Sequence, residues 1–243
     1  MLHCRRRRRA GIRSDRTHAC DGAGIAKTDA PWLGQGSAGR PPERNDRWGR
    51  GQTTPPTSNS ASPPSLVPLA LVFYGGLFGV ALVWAWLAGR PLGFASAEAA
   101  QRGIRPLRDA GAGAAVGLAI VLLSGWFTRG TRTGDRLARA LARLVGRRSL
   151  GECAALALAS GIGEEAFFRG ALQPQLGLLP TSLLFGLAHF APRRDLLPWT
   201  AFSLAAGVAL GWLFEATGNL VAPVIAHALV NAVNLRLLTR DYL

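Results

Sequence analysis

The chain has 243 residues, a formal net charge of +14 and 49% apolar residues, with a mean hydropathy of +0.17. A chain that is both this basic and this apolar cannot mix the two properties evenly. The composition therefore argues against an ordinary soluble domain and favours a multi-pass membrane protein with a polar tail. The basic residues are 27 Arg and one Lys, a bias typical of a GC-rich bacterial genome, so we do not expect a nucleic-acid partner.

Residues 1–65 form the polar part of the chain. They hold 12 basic and 5 acidic residues, are rich in Gly, Pro, Ser, Thr and Arg, and contain almost no apolar run. Such a segment cannot bury enough apolar surface to offset the entropy lost on ordering. We therefore predict a disordered tail that is dispensable for folding and activity.

Six apolar segments follow the tail, and a segment of about 20 residues crosses a hydrocarbon core of ~30 Å. A different segment, residues 131–149, lies between the second and the third, and its leucines recur at helical spacing among arginines. This pattern predicts a basic amphipathic helix that lies in the membrane interface against anionic headgroups. The six predicted spans are residues 66–88, 111–127, 153–172, 176–190, 197–216 and 219–238.

The predicted fold is all-α, a polytopic transmembrane helical bundle. Residues 66–149 supply two spans and the amphipathic helix, and residues 150–243 supply a membrane core that carries several polar residues. With the N-terminus inside, the predicted cytoplasmic segments hold eleven Arg and the opposite loops four. The positive-inside rule therefore predicts a protein of the bacterial cell membrane with both termini in the cytoplasm. The lipid bilayer is accordingly a predicted partner.

Three charged residues lie inside the third predicted span, where each costs at least ~2.5–3.5 kcal/mol. Glu165 and Arg169 are four residues apart and can form one ion pair along the helix. This pairing leaves Glu164 without a partner in its own helix. The group could simply staple the helix beside a protonated Glu164, but that interpretation does not explain the histidines that follow.

Two histidines also lie in predicted apolar helices. His189 ends one apolar run, and His227 precedes Asn231 by one helical turn, so these two residues share a helix face. One converging polar site with Glu164 explains these residues better than four separate core positions. Small residues around them would let the helices approach closely, namely Ala157, Ala159, Gly161, Gly163, Gly186, Ala188, Ala226 and Ala228.

These side chains suit hydrolysis by an activated water. A carboxylate such as Glu164 can deprotonate a water, and a histidine beside it can orient that water and share the proton. A second histidine and an asparagine can donate hydrogen bonds to a developing oxyanion. Ser160 lies nearby, but no Ser or Cys has a base partner at a fixed spacing, so a nucleophilic mechanism is the second choice.

Two alternatives stay open at this point. Glu164, His189 and His227 could be three zinc ligands with a water in the fourth position, although the chain has no H-E-x-x-H motif and Asn is a poor zinc ligand. We expect no required cofactor, with zinc as the alternative. The polar cluster could also belong to a non-proteolytic membrane transporter or proton relay, although no inverted repeat is visible, or to an inactive scaffold.

Three motifs resemble the CAAX protease and bacteriocin-processing enzyme family, also called the Abi or type II CAAX prenyl endopeptidase family. They are E-E-x-x-x-R at residues 164–169, F-x-x-x-H at residues 185–189 and H-x-x-x-N at residues 227–231, in that order. Within the first motif, Glu165 and Arg169 match the remainder of the pattern, for which we expect a supporting, structural role.

The resemblance covers roughly residues 150–240. It implies an intramembrane endopeptidase whose site opens toward the cytosol and acts on a membrane-bound or lipid-anchored peptide or protein. The family's catalytic glutamate falls on Glu164, its water-orienting histidine on His189, and its oxyanion-stabilising pair on His227 and Asn231. The family is described both as metalloproteases and as glutamate-dependent proteases, which leaves the zinc alternative open.

Overall fold

A computed structural model describes residues 66–243, and the predicted tail, residues 1–65, lies outside the described residues. Most of the described part of the chain is helical, and it contains no β-strand beyond one isolated bridge, which confirms the predicted all-α fold. The elements are α1 (Leu66–Leu87), α2 (Ala97–Arg102), α3 (Pro106–Gly130), α4 (Arg132–Val145), α5 (Leu150–Glu165), a π-helical segment (Ala166–Leu172), α6 (Gln173–Leu176), α7 (Leu178–Ala188), α8 (Leu197–Thr217) and α9 (Val221–Asp241).

Four helices in residues 66–243 are long and apolar enough to cross a membrane: α1, α3, α8 and α9. They correspond to the first, second, fifth and sixth predicted spans. The third predicted span consists of α5 and the π-helical segment, which continue one another. The fourth corresponds to α7, whose 11 residues are fewer than the ~20 that a single span requires.

The N-terminus of α5 is defined by a capping box. The Ser149 hydroxyl accepts a hydrogen bond from the backbone N–H of Glu152 at 3.2 Å, and the Glu152 carboxylate accepts one from the backbone N–H of Ser149 at 2.9 Å. These bonds satisfy N–H groups that a helix start leaves unpaired. The start of α5 is therefore set locally, and its other end carries the two adjacent glutamates.

Helix α9 packs against both α3 and α5, and small residues bring its backbone close to α3. A Cβ atom at Gly117 would lie 3.0 Å from the Cα atom of Ala226, and one at Gly113 would collide with the carbonyl of Ala222. The small residues are four apart on both helices, the spacing that allows close packing of membrane helices. This close packing fixes the position of α9 relative to α3.

The predicted close approach of other helices is confirmed on both sides of α5. A Cβ atom at Gly163 would lie 2.6 Å from the carbonyl oxygen of Tyr74 in α1, and one at Gly161 would lie 3.2 Å from the backbone nitrogen of Ala228 in α9. Because glycine has no side chain, α5 can contact α1 and α9 at neighbouring positions.

The predicted amphipathic helix is α4. On its apolar side, Leu137 is 6% exposed and packs with Leu196, Phe127 and Trp199, so the protein itself covers part of the face that could have entered the membrane. On its basic side, the Arg139 side chain remains 57% exposed. Contact of that basic side with anionic headgroups stays a prediction.

Candidate active site

Glu164 and Glu165 end α5, immediately before the π-helical segment. Neighbouring residues of a helix point about 100° apart, so the two carboxylates face different surroundings. Glu164 lines a cavity of about 400 Å³, whereas Glu165 is completely buried. Single π-helical turns inside longer helices often occur at functional sites. In this chain the π-helical segment begins directly after the two glutamates.

The ion pair predicted from the spacing of Glu165 and Arg169 is confirmed, with 3.1 Å between Oε1 and Nη1. The Arg169 side chain is 1% exposed. Its Nη2 atom donates to the carbonyl of Gly207 in α8 at 3.1 Å, and its guanidinium lies 4.4 Å from the ring centroid of Phe185 in α7. Arg169 therefore ties the π-helical segment to two neighbouring helices.

Glu165 also forms a hydrogen bond to a residue of another helix, which the spacing of residues within α5 could not predict. Its Oε1 atom lies 2.7 Å from Nδ1 of His227 in α9. Because an ionised carboxylate only accepts hydrogen bonds, Nδ1 carries the hydrogen and donates it. Glu165 thereby fixes the orientation of the His227 imidazole. The other ring nitrogen, Nε2, takes no part in this hydrogen bond.

His189 lies at the C-terminal cap of α7, whereas the sequence analysis placed it within a helix. Its backbone N–H bonds to the carbonyl of Gly186, so the chain departs from the α-helical pattern at this residue. The carbonyl of Phe185 accepts a hydrogen bond from the ring Nδ1–H instead, at 2.8 Å. The Trp199 ring lies edge-on at 5.3 Å between centroids, so backbone and side-chain contacts both hold the imidazole.

The fixed ring of His189 faces Glu164. Its Nε2 atom lies 3.6 Å from Oε2 of Glu164, a buried oxygen that accepts no hydrogen bond from the described residues. Tyr74 in α1 lies near the same carboxylate and lines the same cavity. Tyr74 was missed by the sequence analysis because it belongs to a distant span and to none of the three motifs.

Asn231 lies one turn after His227 on α9, and both line the cavity, in agreement with their spacing. Asn231 Nδ2 donates a hydrogen bond to Oγ of Ser160 in α5 at 2.8 Å. The structure thus brings Glu164, His189, His227 and Asn231 to the wall of one cavity.

In residues 66–243, no group of three or more His, Cys, Asp or Glu side chains is arranged to hold a metal ion. Nδ1 of His227 is engaged by Glu165, and Nδ1 of His189 by a backbone carbonyl. A histidine that binds zinc also has its other ring nitrogen hydrogen-bonded to a carboxylate or a carbonyl, so these contacts do not decide between the two alternatives and the zinc site stays a prediction.

Comparison with known proteins agrees with the motifs. Residues 147–233 match the family model described as type II CAAX prenyl endopeptidase Rce1-like, which confirms the family resemblance for this part of the chain. The uncharacterized protein YpbD of Bacillus subtilis (strain 168) is 37% identical over 93 residues, which cover 37% of this chain and 48% of YpbD. The aligned region thus spans about half the length of that relative. No solved structure matches the chain significantly.

Proposed function

We propose that the protein is an intramembrane endopeptidase, which hydrolyses a peptide bond of a membrane-bound or lipid-anchored substrate with a water activated by Glu164. The observation that carries the proposal is the pair formed by Glu164 Oε2 and His189 Nε2, 3.6 Å apart in the wall of a cavity. The membrane-spanning helices and the match to the Rce1-like endopeptidase family support the same function.

The activation of water follows from the hydrogen positions. The neutral imidazole of His189 carries its hydrogen on Nδ1, which donates to a backbone carbonyl, so Nε2 accepts. A water that donates one hydrogen to Nε2 and one to Glu164 presents its oxygen lone pair to a scissile carbonyl. Glu164 takes the proton as general base and returns it to the leaving amine, a role worth roughly 10²–10⁴-fold in rate.

The other two residues suit stabilisation of the oxyanion. In its imidazolium form, His227 donates from both ring nitrogens, Nδ1 to Glu165 and Nε2 to the developing negative charge. The amide of Asn231 supplies the second donor.

The substrate class follows from the remainder of the cavity. The lining of the cavity also includes Leu137, Leu141, Val145 and Leu238. Such a lining suits a substrate with hydrophobic side chains or a lipid anchor beside the scissile bond. The mechanism requires no cofactor.

The test compares cleavage in membranes that contain the wild-type protein or the Glu164→Gln variant. New peptide termini among co-expressed membrane proteins are identified by mass spectrometry. Glu164→Gln keeps the shape of the side chain but cannot take the proton, so we expect a loss of the wild-type termini by at least about 10²-fold. Glu98→Gln is the matched control, because Glu98 is an exposed carboxylate in α2 and should not change the termini.

Three outcomes would contradict this proposal. A folded Glu164→Gln protein that produces the wild-type termini would refute the role of Glu164. Reversible inactivation by a chelator, with recovery on addition of Zn²⁺, would favour the zinc alternative. A folded wild-type protein that produces no new termini would favour a transporter or proton relay built from the same polar cluster.

A further inference from the structure

Ser160 is a buried residue of the cavity wall that the mechanism above does not use. It precedes Glu164 by four residues on α5, so the two side chains lie on one helix face. Its side chain is 4% exposed, and its Oγ atom accepts a hydrogen bond from Asn231 Nδ2 at 2.8 Å. Ser160 therefore contacts the residue that supplies one of the two oxyanion donors.

The direction of this hydrogen bond follows from a second contact. A serine hydroxyl has one hydrogen and two lone pairs, and that hydrogen is donated to the carbonyl of Ala157 at 3.2 Å. Only lone pairs remain for Asn231, which must turn its NH₂ group, and not its carbonyl oxygen, toward Ser160. One N–H of the amide is used in this way, and the second N–H makes no hydrogen bond to the described residues.

We propose that Ser160 is a positioning residue that sets the orientation of the Asn231 amide, so that its second N–H is available to the oxyanion. The proposal rests on the proposed function. It also assigns Ser160 a role other than that of a nucleophile. Its hydroxyl hydrogen is bound to a backbone carbonyl, and none of its hydrogen bonds to the described residues involves a base that could activate it.

The experiment measures kcat and KM with a fluorogenic peptide that spans a cleavage site found in the terminus comparison. Ser160→Ala removes the acceptor and lets the amide rotate, so we expect kcat to fall about tenfold. KM should change by less than about twofold, because an oxyanion contact is made only in the transition state. Ser160→Cys, whose sulfur accepts hydrogen bonds weakly, should show a similar loss if the alanine variant does not fold.

Two comparisons separate positioning from a merely structural role. In an Asn231→Ala background, Ser160→Ala should cause no further loss of kcat, because residues that act through one contact are not additive. Ser182→Ala is the matched control, since Ser182 is also a buried helical serine bonded to a carbonyl, that of Leu178 at 2.7 Å. It should leave kcat and KM unchanged.

An unchanged kcat in Ser160→Ala, or a loss that adds fully to that of Asn231→Ala, would overturn the proposal. Complete inactivation of a folded Ser160→Ala protein would overturn it in favour of a serine nucleophile. In each case the wild-type protein remains active, which distinguishes these results from failure of the proposed function, where the wild type itself cleaves nothing.

Discussion

Replacement of Glu165 by Gln should destabilise the protein far more than the same replacement of Glu164. Glu165 is completely buried and is the counter-charge of Arg169, whose side chain is 1% exposed. Loss of one partner leaves a buried cation uncompensated, which costs about 3–5 kcal/mol. For a domain of this size, each kcal/mol shifts the melting temperature by roughly 2–4 °C, so we expect a decrease on the order of 10 °C.

The assay is thermal unfolding of the detergent-solubilised protein, with activity measured per folded molecule. Glu164→Gln is the matched control, since Glu164 forms no ion pair with an Arg among the described residues, and it should melt close to the wild type while losing activity. Replacing both partners, as in Glu165→Leu with Arg169→Met, should restore part of the stability. It should not restore activity, because His227 loses its acceptor. A Glu165→Gln protein with the same melting temperature as the wild type would refute the reasoning.

Two further predictions concern the contact between α1 and α5. Gly163→Ala should cost about 1–3 kcal/mol of unfolding free energy, because the new Cβ would lie 2.6 Å from the carbonyl oxygen of Tyr74. Gly151→Ala in the same helix meets no atom within 4 Å and should be neutral or slightly stabilising. If the two variants had equal melting temperatures, the steric argument for Gly163 would be refuted. Tyr74→Phe removes a hydrogen-bond donor beside Glu164 and should lower kcat/KM about tenfold. Unchanged activity would show that the hydroxyl does not support the base.

The amino-acid sequence alone determined the all-α membrane fold and the identity of the unusual polar residues. Both are local properties, because span length and the cost of a buried charge are read from short segments. The Glu165–Arg169 ion pair was predictable for the same reason, since residues four apart in a helix are neighbours. The shared face of His227 and Asn231 follows from the same rule.

Only the tertiary structure decided which partner each polar atom has. The bond between His227 and Glu165 joins residues 62 apart, and that between Asn231 and Ser160 joins residues 71 apart. Such contacts depend on the depth and rotation of packed helices, which no helix determines by itself. The end of α7 just before His189 is a further example, because the Phe185 carbonyl becomes available to the imidazole only where the α-helical hydrogen-bond pattern stops. The sequence therefore predicted that Glu164, His189, His227 and Asn231 lie together in one cavity wall, whereas helix packing determined the hydrogen-bond partner of each of their atoms.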